Sequence, residues 1–162
     1  MSEITTICIE SPLGPIGISG TDDRITVVSF DETSSGGSPA IPVAVEKCIF
    51  QLKEYFSGTR KNFDLPLHPE GTFFQQTVWE QLQTIPYGGF ISYLELAKRI
   101  GDEKTVRAVG AANGRNPIGI IIPCHRVIGS NRQLVGYAGG LWRKQWLLEH
   151  EARFAHGVQK LF

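Results

Sequence analysis

A cysteine, a histidine and an arginine stand in a row as Cys124, His125 and Arg126, directly after the apolar run "IGIII" and Pro123. A thiol reacts as its anion. A free cysteine titrates near ~8.5, and a neighbouring base or a helix N-terminus lowers that value. Adjacent residues of an extended segment point apart, so Cys124 and His125 cooperate only if the chain turns at once, as it would at the start of a short helix. A carboxylate on the far side of the imidazole would complete a Cys–His–acid relay. Glu149 and Glu151, both downstream, are the candidates. The plainer alternative makes Cys124 a buried thiol and His125 a surface residue, and composition alone leaves both open.

The other two cysteines, Cys8 and Cys48, are far apart and form no CxxC or other metal-ligand spacing with Cys124. Each falls on an apolar pattern and is expected in the core. Free thiols in a reducing compartment are the simplest account, and the cytoplasm is the expected location. The first residues, "MSEITTICIE", do not read as a signal peptide, and no window reaches the ~18 apolar residues of a membrane span. The 162 residues suit one compact domain or two small ones. Net charge is zero, yet residues 1–81 carry −6 and residues 82–162 carry +6. Clustered cations reward phosphates, so a polyanion-facing second half is one explanation and a solvated surface is the other.

The elements that must position Cys124 follow from the hydrophobic periods. "ITTICIE", "PIGISG" and "RITVVSF" predict a small antiparallel meander, and "DETSSGGSPAIP" an exposed loop. Val45, Cys48, Ile49, Leu52 and Phe56 share one helix face that Gly58 can end. "FDLPL" is a short strand or an extended crossover. A second helix starts at an N-cap Thr72 and buries Phe74, Val78, Leu82 and Ile85. "PYGG" breaks it, and the domain boundary is placed there, between 1–85 and 86–162. "SYLELAKRIG" opens on a capping box, Ser92 with Glu95. "DEKTVRAVGAANGRNP" is the next helix, and the pair has the outline of a helix-turn-helix. The second of these helices is built from small residues, Ala108, Gly110, Ala111, Ala112 and Gly114, with Arg107 and Arg115 at its ends. Such a backbone either packs closely on another helix or enters a nucleic-acid groove. "IGIII" is a buried strand or extended segment. The last helix marks its turns with Leu141, Trp142, Gln145, Leu148 and Glu151, and His150 beside them is structural or exposed. The fold class is α/β (α+β): a small antiparallel sheet with a helix, then a mostly helical domain with a helix-turn-helix.

The ordered motifs resemble a known family. "IPCHRV" at 122–127 is similar to the active-site signature of the O6-alkylguanine-DNA alkyltransferases. "FQQTVWEQLQTIPYG", "ISYLELA", "RAVGAANGRNPIGIIIPCHRVIG" and "GYAGGLWRKQWLLEHE" resemble that family's opening helix, DNA-binding unit, active-site segment, and closing loop and helix. The likeness spans roughly residues 72–151, and is looser over the N-terminal strands, where it implies a ribonuclease-H-like domain. It implies a DNA repair protein that transfers an alkyl group from O6-alkylguanine, and O4-alkylthymine as well, to its own cysteine. The transfer is a single irreversible turnover, because an alkyl thioether offers water no carbonyl to attack.

The resemblance implies a role for each matching residue. Cys124 takes the alkyl group, His125 activates it through a water, and Glu151 orients His125. Asn116 orders the segment before the cysteine, and Tyr93 assists proton transfer to the departing guanine. Arg107 enters the duplex in place of the flipped base, which must leave the stack for chemistry at O6. Ala108, Gly110, Ala111, Arg115, Tyr93 and Ser130 contact DNA. Tyr93, Asn113, Val127, Tyr137 and Ala138 hold the base, with Val127 offering its carbonyl. The partner is double-stranded DNA carrying the lesion, bound through the minor groove by a monomer. Some relatives carry a structural zinc, but Cys8, Cys48 and His68 make no convincing set, so neither metal nor cofactor is expected. Two other classes of function stay distinguishable: a lesion-binding module with an inert thiol, and a cysteine hydrolase using Cys124, His125 and Glu151 on acyl substrates.

Overall fold

The structure, a computed structural model, describes residues 3–30 and 40–157, so most of the loop expected at "DETSSGGSPAIP" lies outside the described residues. The chain forms two compact units, one of Met1–Glu70 with Pro117–Ile121 and one of Gly71–Asn116 with Ile122–Phe162.

In the first unit β1 (Thr5–Ile9), β2 (Ile16–Gly20) and β3 (Ile25–Ser29) make the expected antiparallel meander, with Ile7 opposite Ile18 and Ile18 opposite Val28. The turn between β2 and β3 is tied by the Thr21 hydroxyl donating to the Asp23 carboxylate at 2.6 Å. Helix α1 (Val43–Ser57) packs on β2 and β3 and ends at Gly58, whose φ of +84° only glycine adopts without strain. Its buried stripe is rotated from the expected one. Ala44, Val45, Cys48, Gln51, Leu52 and Tyr55 face inward, while Ile49 and Phe56 are half-buried. Gln51 tolerates burial because its amide exchanges hydrogen bonds with the backbone of Asp64 at 3.0 and 2.9 Å. Cys48 is in the core, where burial pushes its thiol up to about 12. Cys8, expected in the core, is half-buried because all of β1 is.

Two extended stretches join this unit. Leu67 bridges Ile25 in parallel, so "FDLPL" is a crossover with one bridge. The "IGIII" segment pairs with β3 at Ile118 only: the Val28 amide donates to Pro117 and the Gly119 amide to Val28. The expected strand or extended segment then gives way to a tight turn, in which the Ile121 amide donates to the Gly119 carbonyl at 2.7 Å and Ile120 sits at φ +69°. A β-branched residue there is strained.

The second unit holds α2 (Phe73–Leu82), β4 (Ile91–Ser92), α3 (Tyr93–Ile100), α4 (Val106–Gly114), β5 (Val127–Ile128) and α5 (Leu141–His156). The boundary expected near residue 86 falls earlier, at 70/71, because α2 packs on α3 and α4. Thr72 caps α2 in a full capping box with Gln75. Trp79, not Phe74, anchors this helix; it is 1% exposed and its indole N–H donates to the Ala112 carbonyl of α4 at 2.9 Å. Ser92 caps α3 by accepting from the Glu95 amide, but the Glu95 carboxylate pairs with Arg99 instead of closing a box. Where one helix was expected from residue 102, a single 3₁₀ turn, Glu103–Thr105, precedes α4. β4 and β5 pair in parallel, Ile91 with Val127 and Ser92 with Ile128, which sets the start of α3 beside the chain that leaves Cys124. Of the residues expected to mark the turns of α5, Leu148 and Glu151 are buried, Gln145 is half-buried, and Leu141 and Trp142 are exposed; Lys144, Leu147, His150 and Ala152 are buried as well. No helix among the described residues is long and apolar enough to cross a membrane.

Candidate active site

The chain turns at Cys124. Residues Cys124–Arg126 form a 3₁₀ turn, opened by Pro123, in which the Arg126 amide donates to the Pro123 carbonyl at 3.0 Å. All three side chains are buried. This is the immediate turn that cooperation between Cys124 and His125 demands.

Of the two candidate acids, Glu151 meets the imidazole. His125 Nε2 and Glu151 Oε2 are 2.7 Å apart, both side chains fully buried. Glu149 lies one helical turn from Gln145 and accepts from it at 3.0 Å. Burial alone would raise the Glu151 carboxyl, but His125 and the Arg126 guanidinium outweigh burial and hold it well below the usual carboxylate range. An ionised carboxylate only accepts, so the proton of the 2.7 Å contact sits on Nε2 and Nδ1 carries the lone pair. Burial holds His125 below its usual value, Glu151 opposes this, and Arg126 and Lys144 add to it. His125 is therefore a neutral base, and Nδ1 is buried with no hydrogen-bond partner among the described residues.

The thiol departs from the expected low value. Burial pushes Cys124 up, and the Asn116 side chain and the Lys144 charge pull it down by less. Resting Cys124 is a protonated thiol whose proton must leave during reaction, which gives the neutral base beside it a task.

Two asparagines hold this segment. Asn116 Nδ2 donates to the Ile122 carbonyl at 2.8 Å, and Asn113 Nδ2 approaches the Cys124 carbonyl at 3.4 Å. Asn113 Oδ1 is buried and accepts from no described donor. Tyr93, the first residue of α3, donates its hydroxyl to the carbonyls of Val135 and Gly136 at 3.0 and 3.3 Å. Burial chiefly raises this phenol, a thiolate at Cys124 would add to that, and the Asn113 side chain opposes it. Tyr137 follows on the same loop with its hydroxyl buried and its ionisation strongly disfavoured by burial and then by Cys124. Val127 is buried in β5, and Ala138 is exposed.

Two charged residues of this cluster escaped the sequence. Lys144 of α5 is fully buried, and its ammonium donates to Val135 O at 2.8 Å and to Tyr93 Oη and Gly136 O at 3.4 Å. Burial lowers it to about 8. Arg126 is the other, clamped on Glu151. A signal for Lys144 existed: Lys144, Leu147, Leu148 and Glu151 fall at i, i+3, i+4 and i+7 of one helix face.

The remaining expected residues lie elsewhere in this unit. Arg107, Ala108, Ala111, Gly114 and Arg115 make one exposed face of α4, and Val109, Ala112 and Asn113 its buried face. Gly110 is half-buried against the Tyr93 ring. Ser130 is exposed in the 3₁₀ turn Ser130–Arg132. None of the described His, Cys, Asp and Glu side chains forms a cluster able to hold a metal ion.

Comparison with known proteins adds an independent line. Residues 73–153 match the family model "6-O-methylguanine DNA methyltransferase, DNA binding domain", and residues 4–69 match "6-O-methylguanine DNA methyltransferase, ribonuclease-like domain". The chain is 49% identical to a methylated-DNA--protein-cysteine methyltransferase of Methanosarcina acetivorans, over 88% of this chain and 94% of the relative. It is 45% identical to the protein of that name from Mycolicibacterium paratuberculosis, over 95% and 96%. Among solved structures it resembles Mycobacterium tuberculosis O6-methylguanine methyltransferase, with a TM-score of 0.84 at 44% identity over 94% of this chain and 95% of the other. The complex of Mycobacterium tuberculosis OGT with DNA matches at a TM-score of 0.84 and 46% identity, over 93% and 94%.

Proposed function

The chain belongs to the 6-O-methylguanine DNA methyltransferase family, and from that premise we propose how its residues repair DNA by moving an alkyl group from O6-alkylguanine onto Cys124. The observation that carries the assignment is the buried Cys124–His125–Glu151 arrangement, with its 2.7 Å contact between His125 and Glu151. The thiol proton passes, through a water, to His125 Nδ1. The freed sulfur pair attacks the alkyl carbon, an S–C bond forms and the C–O6 bond breaks. The pair from that bond goes to the guanine, which regains a proton by way of Tyr93. The products are one alkyl-cysteine and one intact guanine. No carbonyl is left for water to attack, so each molecule acts once. O4-alkylthymine presents the same kind of alkyl carbon and is a second substrate.

Binding precedes chemistry. The exposed face of α4 is narrow at Ala108 and Ala111 and cationic at its ends, which suits the minor groove. Gly110 and Ser130 line the same DNA path, and Arg107 fills the space of the extruded nucleotide, as a long planar cation can. The base rests against Tyr93, Tyr137 and Ala138, with the Val127 carbonyl and the buried Asn113 Oδ1 accepting from its N–H groups. Asn116 keeps the segment before Cys124 in place. The protein acts as a monomer, and its cysteines, in no disulfide among the described residues, suit the cytoplasm.

A duplex with a labelled O6-methyl group tests this. Wild type should carry the label on Cys124. Cys124→Ala should bind the same duplex and take no label. Binding by wild type without transfer would make the protein a lesion reader, and failure of both would remove the DNA role.

A further inference from the structure

Arg126 is spent by none of the steps above, yet it is 7% exposed and placed against the acid of the relay. Its Nε donates to Glu151 Oε1 at 2.8 Å and its Nη2 to Oε2 at 3.1 Å, a two-pronged clamp along one edge of the carboxylate. Nη1 donates to the Ile85 carbonyl at 2.6 Å, beyond the end of α2. Oε2 is thus shared between Arg126 and His125, at 3.1 and 2.7 Å.

We infer that Arg126 is a positioning residue for the transfer: its guanidinium fixes Glu151 as an anion that accepts from His125 Nε2–H, so that Nδ1 stays free to receive the Cys124 proton. The inference rests on the proposed function and names a residue that function did not need.

Charge explains why a clamp is required. A lone buried carboxylate facing an imidazole has two ways to lower its energy: it takes a proton itself, or it draws one onto the ring. The first removes the acceptor that fixes the tautomer. The second fills Nδ1 before the reaction begins. A guanidinium, charged at every working pH, blocks both, because it compensates the carboxylate and repels an imidazolium. Other groups face the pair. Lys144 comes from α5 and Cys124 from the same turn. The Tyr87 and Tyr137 phenols both feel the Glu151 charge. The Gly88 amide approaches Oε1 at 3.3 Å. Lys144 is committed to the carbonyls of Val135 and Gly136, and the phenols are neutral. Among these groups Arg126 alone is both cationic and bonded to Glu151.

Arg126→Gln keeps a donor and deletes the charge, and Arg126→Lys keeps the charge. The readout is the pH profile of single-turnover methyl transfer, together with the ¹⁵N imidazole signature of His125 in the resting protein. In Arg126→Gln the acid limb of the profile should move up by about 1–3 pH units, the span over which one close charge shifts a titrating neighbour. The His125 ring of this variant should take its second proton at a higher pH than in wild type. In Arg126→Lys the limb should stay at its wild-type place, whatever the maximum rate. A merely structural arginine would lower the rate at every pH and leave limb and tautomer unmoved, and that result overturns the inference. Should Arg126→Gln transfer too slowly to profile, its ¹⁵N spectrum decides. Should it fail to fold, Arg126→Lys decides, since a displaced limb there contradicts a role for charge. Wild type that methylates Cys124 keeps the proposed function standing through any of these results.

Discussion

His125, Arg126 and Glu151 are three ionisable side chains with almost no water to share their charge. Removing one partner of such a set leaves another buried and uncompensated. Glu151→Gln should therefore cost about 3–5 kcal/mol of stability, which urea denaturation at neutral pH would measure. The same residues set an acid dependence. Glu151 titrates below its unfolded range, so its contribution is present above ~4.3 and is lost as pH falls. His125 titrates below its usual ~6.5, so protons favour the unfolded chain below that value. The signs agree: wild-type stability should fall on acidification from ~6.5 and more steeply below ~4.3. A smaller fall in Glu151→Gln is expected, and an identical one would assign the effect to other carboxylates.

What was legible at this scale was chemistry carried by adjacency. Cys124 beside His125 poses its own question, and Glu151 was one of two acids in reach. Arg126 and Lys144 were not legible because long cations are mostly solvated, and only their folded surroundings show when one is not. The direction of the thiol shift was also hidden. A neighbouring base promised a lower value, while the burial that wins depends on how closely the unit packs around Cys124.

At the scale of elements, α4 is the informative one. Its buried side holds Val109, Ala112 and Asn113, and its outer side has almost nothing beyond Cβ between the two arginines. Ala111→Gln places a good helix former on that outer face. Folding stability should stay within about 0.5 kcal/mol of wild type, while affinity for duplex DNA should drop. Unchanged affinity with unchanged stability would move the DNA contact off this face. Periodicity located α1, α2 and α5, while caps and helix breakers located α3 and α4. It failed at residues 118–122, where an apolar run of strand-like composition pairs at one residue and then turns, with Ile120 at φ +69°. It failed again at Trp79, whose indole finds a carbonyl on a helix that lies thirty-three positions further along the chain.

At the scale of the whole molecule, zero net charge conceals a split of −6 and +6 between the two halves of the sequence. Arg107, Arg115 and Arg132, all exposed, belong to the cationic half. If phosphates supply the affinity, binding to an undamaged duplex should weaken steeply with salt, with a log–log slope near −0.9 for each phosphate neutralised. Arg115→Ala should make that slope shallower by about one. A flat response would mean that the charge split is surface chance.

If Cys124 keeps the carbon it removes, the mass of the protein must record it. Intact mass of the protein, before and after incubation with a molar excess of O6-methylguanine duplex, tests it most directly. One added methyl per polypeptide is expected, mapped to Cys124, with repair halting once every molecule is modified. Continued release of repaired guanine from a protein of unchanged mass would contradict it.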